Sequence, residues 1–322
     1  MKRRLLLLGM LVAPAAWAQP VPGKLRRVGV LAPSTAAKEA VTLKAFFDRA
    51  AELGWIEGRT VTYDRAFADD KMVMLPGVAA DLVAREPELI FAPPMVAAVA
   101  AGKATRTIPI VFATGSDPVR AGLAKTLGRP GGNATGIVSF FDSIAPKRLE
   151  YLGELLPSAR RVAVIGDHSD PRANDETNAI AAAAKERGFE LILDFASTPD
   201  EFEKALLRAF AKRPEAMISV STLAYNQRVK LIEMSMRQRV PVVGQRAEFT
   251  EDGAVLSFSP SSAYQMGRAA EIVDRILRGA KPADIPIEQP REFQLSVNLK
   301  SARSLGIKVP QAMLLRAERV IE

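Results

Sequence analysis

Short runs of β-branched and aliphatic residues alternate along the chain with stretches of 10 to 18 residues whose apolar positions follow a helical period. The short runs predict strands over Val28–Ala32, Thr60–Arg65, Leu89–Ala92, Ile110–Ala113 and Gly136–Phe140. Helices are expected between them over Val41–Leu53, Leu75–Arg85 and Val96–Thr105. A second series predicts strands over Val162–Gly166, Glu190–Phe195, Ala216–Val220 and Val242–Gly244, with helices over Asn174–Arg187, Pro199–Lys212 and Tyr225–Arg239. Strand and helix alternating in this way mark βαβ units and a parallel sheet. At Thr198-Pro199-Asp200-Glu201 the helix start is explicit, because Thr198 can cap, Pro199 suits the first turn and Glu201 closes a capping box.

The two series resemble each other. Arg26-Arg27-Val28-Gly29-Val30 recurs as Arg160-Arg161-Val162-Ala163-Val164, and the helix after each ends at Gly54 and Gly188, also 134 positions apart. Pro87-Glu88-Leu89-Ile90 matches Pro214-Glu215-Ala216-Met217, and Ile108-Pro109-Ile110-Val111 matches Val240-Pro241-Val242-Val243, at offsets of 127 and 132. Three pairings in the same order argue for an α/β fold of two similar doubly wound parallel-sheet lobes. Residues 26–140 plus 250–290 are expected in lobe I, and 141–249 plus 291–322 in lobe II. The hinge crossings are then placed near Phe140–Ser143, Ala247–Asp252 and Pro290–Glu292.

In open parallel sheets ligands bind beyond the carboxyl ends of the strands, so the repeat places a site before any motif does. Lobe I offers Ser34 and Thr35, Pro94 and Met95, and Ser116 and Asp117, with Ser139 just past its last strand. Lobe II offers Asp167 and His168, Ser221 and Thr222, and Gln245 and Arg246. Hydroxyls, amides and single charges of this kind orient a small polar solute.

The N-terminus changes where such a protein works. Lys2, Arg3 and Arg4 precede an apolar run from Leu5 to Ala16, and Ala16-Trp17-Ala18 gives the small-x-small pattern of a signal cleavage site. The run is far shorter than the ~20 residues of a membrane span, so residues 1–18 are expected to be a signal peptide removed near Ala18. Its loss takes the net charge from +8 to +5. That excess comes without a Lys/Arg run or interleaved aromatics, which argues against nucleic acid as a partner. The chain has no cysteine, which excludes disulfides, thiolate nucleophiles and a lipidated Cys anchor. His168 is the only histidine, so multi-His metal sites and most Ser-His arrangements lack their raw material.

From Ile108 to Ser139 the chain reads IPIVFATGSDPVRAGLAKTLGRPGGNATGIVS, and it ends VDRILRGAKPADIPIEQPREFQLSVNLKSARSLGIKVPQAMLLRAERVIE. The SDPV-x-AGL segment, the RPGGN-x-TG turn and the NLK-x-A-x-x-LG ending resemble the ABC transporter substrate-binding family, in its TrpX-like, proteobacterial branch. The resemblance implies a type I periplasmic binding fold with three hinge crossings and no catalysis; the signal segment and the missing Cys anchor place the expected protein free in the periplasm, where a monomer without a cofactor is expected. The resemblance also implies a permease with its ATPase as partners and a small organic solute, such as an amino acid or related carboxylate, as ligand. Ser34, Thr35, Met95, Ser116, Asp117 and Ser139 match the family's cleft positions. In lobe II the branch has a Tyr-Asn-x-x-Glu-x-Asn-Ser pattern where this chain runs from Gly166 to Asn174, and only Asn174 matches. That lobe is therefore expected to recognise its ligand differently.

Several residues carry two readings. Asp117 precedes Pro118 and either caps a short helix over Val119–Leu123, contacts ligand, or does both. His168 is a loop residue with a local hydrogen bond or a ligand contact, and Arg246 is a solvated charge or an anion contact. Gly128 to Asn133 reads as a turn, since neither phosphate-loop spacing is present. A sugar-responsive transcription factor shares a two-lobed architecture but would begin with a helix-turn-helix. An exported enzyme or a sensory binding protein on the same fold is the remaining alternative.

Overall fold

The computed structural model describes residues 25–322, so the expected signal segment and its cleavage near Ala18 lie outside the described residues. Twelve strands form two sheets among the described residues. The first holds β1 (Arg26–Ala32), β2 (Val61–Phe67), β3 (Leu89–Phe91), β4 (Ile110–Thr114) and β5 (Ala134–Val138), all parallel, in the order β2-β1-β3-β4-β5. The second holds β6 (Arg161–Gly166), β7 (Glu190–Phe195), β8 (Ala216–Ser219), β9 (Val242–Gly244), β10 (Leu256–Pro260), β11 (Phe293–Asn298) and β12 (Arg319–Ile321). Its order is β12-β11-β10-β9-β8-β6-β7. The stretch β7-β6-β8-β9-β10 repeats the order of the first sheet strand for strand. This is the type I periplasmic binding fold of two doubly wound lobes, with β11 and β12 added to one edge.

Burial on both faces explains the near-continuous apolar runs. In β1, Val28 and Val30 pack on one face with Phe46, Leu89, Phe91 and Ile272, while Leu31 packs on the other with Leu82, Ile90 and Phe112. Each buried side chain of this size contributes ~1.5–3 kcal/mol. Ile272 lies on the helix Ser262–Leu277, which follows the second crossing and returns to cover lobe I. There it is tied down by Arg49 to Glu271 at 2.7 Å and by Trp55 Nε1, which donates to Asp274 at 2.9 Å.

The second crossing differs from the sequence expectation. Phe249 packs in the second lobe's core, and Gly253, at φ +111°, turns the chain back so that β10 runs beside β9. The chain leaves that lobe at Ser261, not at 247–252, and residues 250–260 belong with the second sheet. Ser261 N donates to Glu292 O at 3.0 Å, which joins the second and third connections. Before the third, Glu288 pairs with β5 of the first sheet. The first follows β5, and the helix Phe141–Leu155 already packs in the second lobe.

Other differences are local. The helix expected over Val41–Leu53 is two helices, Ala36–Thr42 and Lys44–Glu52, and that over Tyr225–Arg239 is likewise divided into Thr222–Asn226 and Arg228–Arg237. No helix forms over Val119–Leu123. Gly122, at φ +73°, stops the chain after a single turn there.

Candidate functional site

The carboxyl ends of β3 and β4 face the start of the helix Pro171–Arg187 in the other lobe, and a cavity of about 350 Å³ lies between them. Lobe I lines it with Met95, Gly115, Ser116, Asp117, Arg120 and Ala121, and lobe II with Asp170, Arg172 and Asp175; Phe140 and Asp142 come from the first crossing. Arg120 Nη1 lies 2.8 Å from Asp175 Oδ2, an ion pair that joins the lobes across this space.

Three of the sequence-predicted residues line the cavity: Met95, Ser116 and Asp117. Asp117 serves two purposes, since its Oδ1 also accepts from Val119 N at 2.8 Å and Arg120 N at 3.3 Å, which fixes the turn that presents Arg120. The others support the walls or lie beyond them. Ser34 donates to the buried Glu39 carboxylate, whose pKa burial pushes up. Thr35 caps the helix Ala36–Thr42, and Pro94 precedes the helix that begins at Met95. Ser139 is buried at the first crossing, with its hydroxyl unpartnered among the described residues.

In lobe II, Asp167 accepts from Ser169 N, Ser169 Oγ and Ser197 Oγ at 2.6–2.9 Å. Burial pushes its pKa up, but these hydrogen bonds outweigh burial and hold the carboxyl below its ordinary value. His168 is exposed and stacks on Phe195 with ring centroids 3.8 Å apart, and its carbonyl accepts from Asn174. Ser221 caps the helix Thr222–Asn226, and Thr222 donates to Asp170 at 3.0 Å. Gln245 donates to Ser221 O at 2.7 Å, while its buried Oε1 has no partner among the described residues. Arg246 is exposed, with its guanidinium 5.1 Å from the Tyr225 ring centroid and 5.7 Å from that of Phe141.

Phe141 is the residue around which the second lobe's charges gather. It packs so closely on Gly115 that a Cβ there would come within 2.4 Å of its ring. Arg172 and Arg148 lie 5.2 and 5.9 Å from the same ring centroid. Arg148 is fully buried and meets the fully buried Glu176 at 2.8 Å, and Arg172 pairs with both Glu176 and Asp170. Loss of solvation pulls the Arg148 pKa down and pushes that of Glu176 up, each opposed by the other's charge.

The sequence reading missed these charged groups. Arg148 had a legible signal, because it shares the apolar helical face of Phe141, Ala145, Leu149 and Leu152, where a lone arginine demands a buried partner. Asp170 and Arg172 sit in the first turn after β6, beside the segment that the strand-end rule had selected.

A two-lobed parallel fold with a lined cavity between strand ends has known relatives, and the model of the ABC transporter substrate binding protein family matches residues 28–321. The chain belongs to that family. It is 24% identical over 265 residues to a tyrosine-binding protein of Clostridioides difficile, a match covering 82% of this chain and 76% of the relative. A conserved domain protein from Vibrio cholerae O1 biovar eltor superposes with a TM-score of 0.83 at 25% identity, covering 92% of this chain and 100% of the other. An ABC domain from Streptococcus pneumonia, solved in complex with L-Trp, also gives a TM-score of 0.83, at 22% identity, with 92% and 100% covered. Family membership implies an extracytoplasmic, non-catalytic role in binding small organic solutes, and pairing with the permease and ATPase of an ABC import system. Among the described residues no group of three or more His, Cys, Asp or Glu side chains is placed to hold a metal ion.

Proposed function

We propose that the protein is the periplasmic receptor of an ABC importer, exported by a signal peptide cleaved near Ala18, and that it captures an amino acid or related carboxylate between its lobes. The TrpX-like branch, with a monomeric receptor, is the subgroup proposed for it. The observation that carries this reading is the cavity to which both lobes contribute, at strand ends where open parallel sheets bind ligands. Its volume of about 350 Å³ falls at the small end of ligand pockets, ~300–1,000 Å³. A single amino acid or short organic acid suits that space better than a peptide or oligosaccharide.

Ligand-driven closure about the three connections follows as the working motion, since solute binding between lobes is a recurrent hinge transition. The relatives whose descriptions name tyrosine and L-Trp support an amino acid. Against an aromatic one stands the segment after β6, where only Asn174 follows the TrpX-like pattern, and Asn174 is turned to His168 O. Thermal-shift screening against amino acids, organic acids, sugars and polyols tests the reading. A raised melting temperature with an amino acid or organic acid is expected; silence across all classes contradicts the receptor reading, and a response to sugars or polyols alone contradicts the carboxylate solute. N-terminal sequencing of periplasmic material is expected to begin at or near Gln19, and a chain still starting at Met1 overturns the export proposal.

A further inference from the structure

We propose that the guanidinium groups around Phe141 form an anion subsite, and that the solute is recognised through a carboxylate held there by Arg246 and Arg172. This deepens the receptor reading above and rests on it. Three guanidinium groups lie within 6 Å of the Phe141 ring centroid, those of Arg148, Arg172 and Arg246. Two carboxylates, Glu176 and Asp170, answer Arg148 and Arg172. Glu248, the nearest acidic residue along the chain to Arg246, instead accepts from the Tyr225 hydroxyl at 3.3 Å, and no ion pair includes Arg246 among the described residues. The cluster is one anion short.

A second observation marks the same deficit. Arg148 Nη2 is buried without a hydrogen-bond partner among the described residues, although Nη1 meets Glu176 and Nε donates to Phe258 O. The buried donor is costly to leave unanswered, whereas Arg246 is exposed and has no carboxylate partner among the described residues, so it is free to pair with an incoming anion. The surplus lies beside the cavity, because Arg172 lines it and Phe141 packs on Gly115, which lines it too. Stacking against Phe141 and Tyr225 holds the planar fork of Arg246 in advance of binding, as two-toothed capture of a carboxylate requires. The wall around Arg120 carries the opposite surplus, since Asp117, Asp142 and Asp175 all act on that one arginine. A solute with a cationic group at its other end fits the same cavity.

The test uses the full mature chain and a matched panel: free α-amino acids, their amides and methyl esters, aliphatic and aromatic monocarboxylates, and uncharged sugars and polyols. The free acid is expected to bind and its amide or ester to bind at least tenfold more weakly. Arg246→Gln is expected to lose tenfold or more for the acid while barely changing the amide, and Arg246→Lys to recover part of the loss. Arg246 is exposed, so a melting curve matching the parent's is the expected control. Equal binding of acid and ester, tight binding of uncharged compounds alone, or unchanged acid affinity in Arg246→Gln overturns the subsite and leaves the receptor standing. No binding by any compound overturns both.

Discussion

Arg120 of the first lobe and Asp175 of the second hold each other at 2.8 Å across the cavity that both line. Their side chains are 60% and 39% exposed, and exposed pairs contribute only ~0–1 kcal/mol. The pair therefore biases the lobes towards closure without locking them. Arg120→Ala is expected to weaken solute affinity by less than about fivefold, with the difference shrinking at high salt. Calorimetric titration at two salt concentrations checks this. A much larger, salt-insensitive loss would mean that Arg120 contacts the solute itself.

The buried pair beneath the cavity behaves differently. Removing one member of a buried ion pair leaves an uncompensated charge and costs ~3–5 kcal/mol. Arg148→Met is expected to fall at the lower end of that range, because Arg172 still answers Glu176. The double variant Arg148→Met with Glu176→Leu is expected to regain much of the loss. Urea denaturation of both variants gives the comparison.

Asp117 separates the support of a turn from contact with the solute. Asn retains an oxygen for Val119 N and Arg120 N, whereas Ala retains none. Asp117→Ala is expected to lower the melting temperature of the unliganded protein, and Asp117→Asn to leave it nearly unchanged. An affinity loss in the Asn variant then reports the carboxylate's charge alone.

The lowered pKa of Asp167 predicts a pH dependence. A carboxyl whose pKa is lower folded than unfolded adds stability above its unfolded value, and that stability is lost as the pH falls through the folded one. Asp167→Asn should therefore be less stable than the parent near neutrality, with the gap closing as the pH drops below about 4. Melting curves of the two proteins across the acid range test the sign. A gap that widens on acidification contradicts it.

Much of the fold was legible because parallel strands buried on both faces announce themselves as apolar runs. β10, β11 and β12 were not. LSFSP places serines between apolar residues and ends in proline, FQLSVN is equally interrupted, and RVI is too short to register. The repeat itself held the missing information. β5 precedes the first crossing, so its counterpart β10 was due before the second, and carrying the comparison one strand further would have moved that crossing to Ser261.

The site was legible at strand ends only. That rule reached Met95, Ser116 and Asp117, which line the cavity, and Arg246, which stacks beside it. It also selected Ser221, Thr35 and Asp167, whose polar groups are spent on helix caps and loop hydrogen bonds. Nothing local distinguishes a capping hydroxyl from a ligand-reading one. Phe141 escaped notice because its importance comes from packing on Gly115 and from arginines of three separate segments, Arg148 two turns along its own helix and Arg172 and Arg246 far away in sequence.

Native mass spectrometry of protein purified from its own cells without denaturation tests the central claim most directly. The account predicts one small solute per chain, of amino acid or short-acid size, bearing a carboxylate and recovered chemically unchanged after release. A solute converted on incubation with the protein, or a bound polymer too large for a cavity of about 350 Å³, would contradict it.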